Sequence, residues 1–300
     1  AFVMCVRPFP SPPSTLAQGM TQSQTAATAG GHIFDFLGAE ELPEETGKRS
    51  APQEVRGEVD FEHVRFSYPN NPGKTIIKDF SAHVEPGQKV AIVGPTGAGK
   101  TTLVNLLMRF YEVNSGTIKI DGIPTNEMTR ESVHNLFGMV LQDTWLFDGT
   151  VRENLVYNKT GVTDGQLEKA CRACGTYHFI ETLPKDFDTV LDDSIAISAG
   201  QKQLLTIARA MIQDNPMLIL DEATSSVDTR TELITQRAMD SLTANRTSFV
   251  IAHRLSTIKN ADLILVLKDG DIIEQGTHEE LLAKGGFYAE LYMSQFEKTA

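Results

Sequence analysis

Residues 197 to 228 read ISAGQKQLLTIARAMIQDNPMLILDEATSSVD, and this stretch decides the fold. Leu204, Leu205, Ile207, Ala208 and Met211 recur at helical spacing after Ser198-Ala199-Gly200, which predicts a helix opening at Ser198 and stopping at Asn215-Pro216. The first turn of such a helix has N–H groups with no intrahelical acceptor, a setting that suits an anion. Met217 to Leu220 is uniformly apolar, as in a strand covered on both faces, and it runs into the acidic pair Asp221-Glu222. Ligands of α/β sheets gather at the carboxyl ends of the strands. The stretch therefore predicts an α/β fold in which a phosphate-facing helix start is followed by a strand that ends in a metal-and-base site.

A second phosphate element lies upstream. Gly94-Pro-Thr-Gly-Ala-Gly-Lys100-Thr101 fits G-x-x-x-x-G-K-[ST]. It follows the apolar strand Val90 to Val93 and precedes a predicted helix, Thr102 to Phe110, with Leu103, Leu106, Leu107 and Phe110 on one side. The glycines let backbone N–H groups curl around phosphates, Lys100 supplies a positive charge for the β and γ phosphates, and the Thr101 hydroxyl can ligate magnesium. A plain glycine turn between a strand and a helix is common in α/β proteins, but strand, glycines, lysine and hydroxyl all stand in register here. Gly94, Thr96, Gly97, Ala98, Gly99, Lys100, Thr101 and Thr102 are the candidate nucleotide contacts of this loop.

On these motifs and their order, the chain resembles the nucleotide-binding domain of an ATP-binding-cassette (ABC) transporter of the exporter type, over about residues 56 to 298. The resemblance implies a P-loop NTPase core of RecA-like α/β type, with a small antiparallel β subdomain and a helical subdomain at about 143 to 215. ATP and Mg2+ are the cofactors it implies. Tyr68, after the alternating residues Val59, Phe61, Val64 and Phe66, resembles the aromatic that stacks on adenine; a half-buried strand tyrosine is the other reading. Gln142 resembles the glutamine that reaches magnesium and the attacking water. Asp221 resembles the carboxylate that serves magnesium, Glu222 the general base, and His253 the switch histidine at the γ phosphate. Asp228 resembles the aspartate of the loop that crosses to a partner.

Ser198, Gly200 and Gln201 match the signature that, in this family, binds the γ phosphate held by the opposite subunit. The resemblance thus implies a second nucleotide-binding domain, identical or related, because charge on the transferring phosphoryl group must be met from both sides. A transmembrane domain of the same transporter and a place at the cytoplasmic face of the membrane are implied with it. Two departures stand out. Ala199 occupies a position where many members have glycine, harmless at a helix start but costing about 1 kcal/mol or more at positive φ. The approach Thr189 to Ala196 lacks the glycine usual before the signature and is about one residue shorter.

Composition agrees with a globular enzyme: 300 residues, 41% hydrophobic, can bury a large core. A net charge of −12 argues against nucleic acid as a partner, since that needs basic patches. Cys171 and Cys174 form C-x-x-C inside a predicted helix, with no second pair to complete a metal site, and read as packing residues; with Cys5 the odd total fits a reducing compartment. No apolar run approaches the length of a membrane span. Residues 1 to 55 read as the end of an exporter's last membrane helix and a linker, Glu40 to Gln53, or else as the tail of a soluble ATPase; Pro8, Pro10, Pro12 and Pro13 fit poorly with an unbroken helix. Residues 56 to 300 read as the cassette, with strands ending at Val93, Leu141, Leu220 and Ile251, a late hairpin around Lys268 to Asp271, and two closing helices. The functional alternatives are a soluble ABC ATPase acting on DNA or ribosomes, and an inactive regulatory cassette, the latter opposed by Glu222 and His253.

Overall fold

A computed structural model of the chain describes residues 11–39, 41–52, 54–141, 144–192, 195, 197–221, 229–252 and 255–296. These fall into two compact units, Ala1–Gly47 and Lys48–Ala300. The first is a 27-residue helix, α1 (Ser11–Leu37). Pro12 and Pro13 lie within this helix, so they do not prevent a helix here as the sequence reading expected, and Pro8 and Pro10 lie outside the described residues. Its apolar side chains Leu16, Met20, Phe34 and Phe36 are exposed. No helix among the described residues is long and apolar enough to cross a membrane.

In the second unit, β1 (Val59–Ser67) and β2 (Thr75–Val84) pair antiparallel, β3 (Lys89–Val93) runs to the glycine loop, and α2 (Lys100–Leu107) follows. The chain returns through β4 (Ser115–Ile120) and β5 (Ile123–Pro124), which complete a four-stranded sheet in the order β2-β1-β4-β5. The antiparallel part therefore takes strands from both sides of the loop. After α3 (Arg130–His134) and β6 (Phe137–Val140) comes the helical part. It comprises β7 (Gly149–Thr150), α4 (Val151–Val156), α5 (Asp164–Ala173), α6 (Tyr177–Glu181), β8 (Val190–Leu191) and α7 (Ala199–Gln213). Then follow β9 (Met217–Asp221), α8 (Thr229–Thr243), β10 (Thr247–Ile251) and α9 (Leu255–Lys259). The hairpin β11 (Leu263–Lys268) and β12 (Asp271–Gly276) precedes α10 (His278–Lys284) and α11 (Phe287–Phe296).

The core sheet has the order β12-β11-β3-β10-β9-β6, parallel except for β12 at its edge. Its parallel strands are covered on both faces, which explains their apolar runs. Val90, Ile92, Ile219, Phe249 and Ile251 face a core shared with the antiparallel sheet and α2. Leu218, Leu220 and Val250 face a second core with the helical part. Ala91 and Val93 face a third with the C-terminal helices.

Element ends differ from the sequence reading by a residue or so, with one larger departure. β6 ends at Val140, and Asp221 is still inside β9, paired with Ile251. The helix expected to reach Phe110 stops at Leu107. Arg109 takes φ 55°, its N–H donates to the Leu106 carbonyl, and the Phe110 N–H donates to the Asn105 carbonyl at 2.9 Å. This is the hydrogen-bond pattern of a Schellman ending, with arginine in the left-handed position that usually takes glycine. The reason is burial: Arg109 is 1% exposed, and its guanidinium donates to the Met128 carbonyl and to Glu112. Phe110 is thereby turned outward against His134.

Cys171 and Cys174 are buried in the helical part, and Cys174 Sγ lies 3.4 Å from Met211 Sδ. Burial pushes both thiols up to about 12. At pH 8 each should therefore hold about a thousandth of the thiolate of an exposed cysteine. Peptide mapping after iodoacetamide treatment is expected to find both unmodified in the native chain and modified in urea; rapid native labelling would contradict the packing role.

Candidate functional site

The site is built where β3 ends. Gly94 stands at φ 154°, and a Cβ on it would lie 2.3 Å from the Leu267 carbonyl oxygen, so only glycine lets the chain leave β3 this close to β11. Thr96 and Gly97 form the exposed crown of the loop, with Ala98 and Gly99 buried beneath it. Gly99 caps α2 at φ 106° with no side-chain cap bond, and a Cβ there would meet Ile77 Cδ1 at 2.8 Å. No side-chain oxygen thus competes with an anion for the first-turn N–H groups of α2.

Lys100 Nζ donates to the carbonyls of Gly94 (2.7 Å) and Pro95 (3.0 Å), bridging the loop it belongs to. Burial lowers the lysine's pKa from its ordinary value, and the charge of Asp221 opposes that shift. The register of the sheet explains why these groups act on each other: Ile92, Ile251 and Asp221 are level across β3, β10 and β9. Thr101 is exposed, whereas Thr102 is buried and its hydroxyl shares a 3.0 Å hydrogen bond with the Tyr68 hydroxyl. The Thr101 hydroxyl and the Asp221 carboxylate are hard oxygen donors, the set that Mg2+ takes while keeping several waters.

Tyr68 stands one residue past β1 and is half-buried. Its ring makes edge-on contacts with Phe66 (centroids 4.9 Å apart) and Tyr111 (5.1 Å). At the other phosphate element, Ser198 is the N-cap of α7. The Ser198 hydroxyl accepts from Gln201 N at 3.2 Å and Gln201 Oε1 accepts from Ser198 N at 2.9 Å, a reciprocal capping box. Ala199 is the first helical residue and is not at positive φ, so alanine there carries no backbone strain. Gly200 is buried behind it. Gln142, Glu222, Asp228 and His253 lie outside the described residues.

Two participants carry no signal in the sequence reading. Arg209, on α7, donates from Nε to the Asn154 carbonyl (2.7 Å) and from its terminal nitrogens to Asn154 Oδ1 (3.2 Å) and the Trp145 carbonyl (3.3 Å). It ties the signature helix to the segment just after Gln142, and its acceptors are mostly backbone oxygens that no residue type announces. Tyr111 reaches Tyr68 only because the helix before it ends early at Arg109. The capping box, by contrast, has a sequence pattern, Ser198-x-x-Gln201, which was matched above only to the phosphate signature.

Residues 77–225 match the model of a family described as ABC transporter. The chain is 51% identical over 293 residues to a fatty acid ABC transporter ATP-binding/permease protein of Mycobacterium bovis, an alignment covering 97% of this chain and 46% of that protein. It is 44% identical over 303 aligned positions to an ATP-dependent lipid A-core flippase of Coxiella burnetii, covering 100% of this chain and 50% of the flippase. A solved structure of a bacterial Atm1-family ABC exporter with ATP bound superimposes with a TM-score of 0.79 at 36% identity, over 91% of this chain and 48% of that one. The chain spans about half the length of the curated relatives it matches.

Proposed function

We propose that this chain, which belongs to the ABC transporter family, binds MgATP, pairs with a second nucleotide-binding domain around two nucleotides, and hydrolyses them to drive an attached exporter membrane domain. The observation that carries this reading is the shared end of the core sheet, where the glycine loop, Lys100 and Asp221 meet. In this reading the loop amides and Lys100 hold the β and γ phosphates, and Tyr68 meets the adenine ring. Thr101, Gln142 and Asp221 hold magnesium, which when bound screens the phosphate charge. Glu222 takes the proton of the attacking water, and His253 keeps that water and the γ phosphate in line.

The second domain enters for an electrostatic reason. Ser198, Gly200 and Gln201 present a helix start that suits a phosphate. In this reading that phosphate sits on the partner's Lys100 side, and Asp228 reaches across with it. Residues 56–300 then form the cassette, and residues 1–55 form the passage from a membrane domain at the cytoplasmic face. The relatives are named as a fatty acid ABC transporter ATP-binding/permease protein and a lipid A-core flippase, which favours this over a soluble ATPase acting on DNA or ribosomes; the chain's net charge of −12 points the same way.

The test is Glu222→Gln. Glutamine keeps the shape but cannot accept the proton, so closed pairs should accumulate with bound nucleotide. Light scattering is expected to give twice the monomer mass for this variant with MgATP, and monomer mass without nucleotide or with ADP. A monomer at every protein concentration tested would refute the shared site.

A further inference from the structure

We propose that Tyr111 is a positioning residue for the nucleotide base, fixing the plane of the Tyr68 ring so that its outer face is ready to stack. This rests on the reading above that Tyr68 meets the base. Tyr68 lies beyond the end of β1, so the strand's pairing does not hold it, and a ring free to rotate would lose entropy when a base lands on it. The structure restrains it at several points. Its hydroxyl is bonded to Thr102, on the helix that begins at the phosphate loop. Its ring meets Phe66 at 79° and Tyr111 at 90°, while Phe66 and Tyr111 touch each other with centroids 5.6 Å apart.

Phe66 and Tyr111 play different parts in this triad. Phe66 is 1% exposed and belongs to the core, whereas Tyr111 is 38% exposed and sits at the rim beside Tyr68. Tyr111 is there because Arg109, buried and left-handed, ends α2 abruptly and turns the next residues back toward β1. The buried arginine, the early helix end and the rim tyrosine therefore act as one device that links the phosphate helix to the base side of the pocket. A perpendicular aromatic contact is worth about a three- to tenfold bias in an equilibrium, enough to set which attitude of Tyr68 is populated.

The experiment compares binding of ATP with binding of inorganic tripolyphosphate, both with magnesium, by titration calorimetry on the whole chain. Tripolyphosphate offers the phosphates without a base. Tyr68→Ala is expected to weaken ATP about tenfold or more, in line with the loss of a stacked base. Tyr111→Ala is expected to weaken ATP about three- to tenfold, and Tyr111→Phe to bind as the parent does, because the ring and not the hydroxyl makes the contact. Tripolyphosphate affinity should be the same in the parent, Tyr111→Ala and Tyr111→Phe, and Tyr111→Ala should add nothing to the loss of ATP affinity once Tyr68 is already alanine. If Tyr68→Ala weakens ATP and Tyr111→Ala does not, the positioning role is overturned while the base-stacking reading stands. Equal weakening of tripolyphosphate by Tyr111→Ala would make its role one of general packing and overturn the proposal. No effect of Tyr68→Ala would sink the base-stacking reading and this inference together.

Discussion

Replacement of Lys100 by methionine should lower ATP hydrolysis by about a hundred- to a thousandfold, the size of effect seen when one preorganised charge or donor is removed from a phosphate or oxyanion site. The chain should nevertheless stay as stable as before. The Lys100 ammonium is half-buried and held by only two backbone carbonyls, and burial lowers its pKa. A lowered lysine pKa means that folding disfavours the charged form. The penalty is present in full wherever the group is protonated in folded and unfolded chains alike. It fades only as the pH rises through the lowered folded value. Methionine has similar length without the charge and relieves the penalty. Phosphate release and thermal unfolding measured on one preparation separate the two effects. Hydrolysis within a few-fold of the parent would remove Lys100 from the site, and a sharp loss of thermal stability would mean that its amine holds the loop together. Arginine is not a conservative alternative, because a planar fork does not replace a point charge that reaches two carbonyls of its own loop.

The phosphate elements were legible because their chemistry demands fixed residue types at fixed spacing. Gly94, with a carbonyl 2.3 Å from where a Cβ would be, illustrates how little freedom such a loop has. The sheet was legible for a related reason: a strand buried on both faces cannot hide its composition, as Met217 to Leu220 shows. What stayed hidden depends on contacts distant in sequence or on backbone acceptors. Nothing in the run from Thr102 to Phe110 announces that the helix stops at Leu107. The cause is the burial of Arg109 against Met128, and arginine is not a residue that advertises a left-handed turn. Arg209 reads as an ordinary polar position on an amphipathic helix until its partners on the Trp145 to Asn154 segment are known. Ser198 and Gln201 were legible in one role only, as a match to the phosphate signature, and the structure adds a second. The same two side chains that match a phosphate-binding signature also cap their own helix. The two roles are compatible, since a side chain that caps a helix start is already ordered beside the N–H groups an anion would use.

Mixing two inactive variants should restore activity, and this result depends on geometry alone. Lys100→Met disables the loop face of a chain and leaves its signature face intact. Ser198→Arg places a bulky cation at the exposed N-cap of α7 and disables the signature face, at a capping cost of about 1 kcal/mol that a core of this size tolerates. Each variant alone forms pairs in which both composite sites contain one damaged face. In a mixed pair, one site combines both damaged faces, and the other combines the intact loop of the Ser198→Arg chain with the intact signature of the Lys100→Met chain. For an isologous pair that exchanges freely, half of the pairs are mixed and half of their sites are whole, so an equal mixture should recover about a quarter of the parent activity if the sites act independently. Tight coupling between the two sites would reduce that fraction without abolishing it. The recovered activity should also fall on dilution faster than the protein concentration does, because it exists only in the assembled pair. A site completed within one polypeptide predicts the reverse: no mixture of the two variants exceeds the sum of its parts at any concentration, and the assignment of Ser198 to the partner's nucleotide would have to be withdrawn.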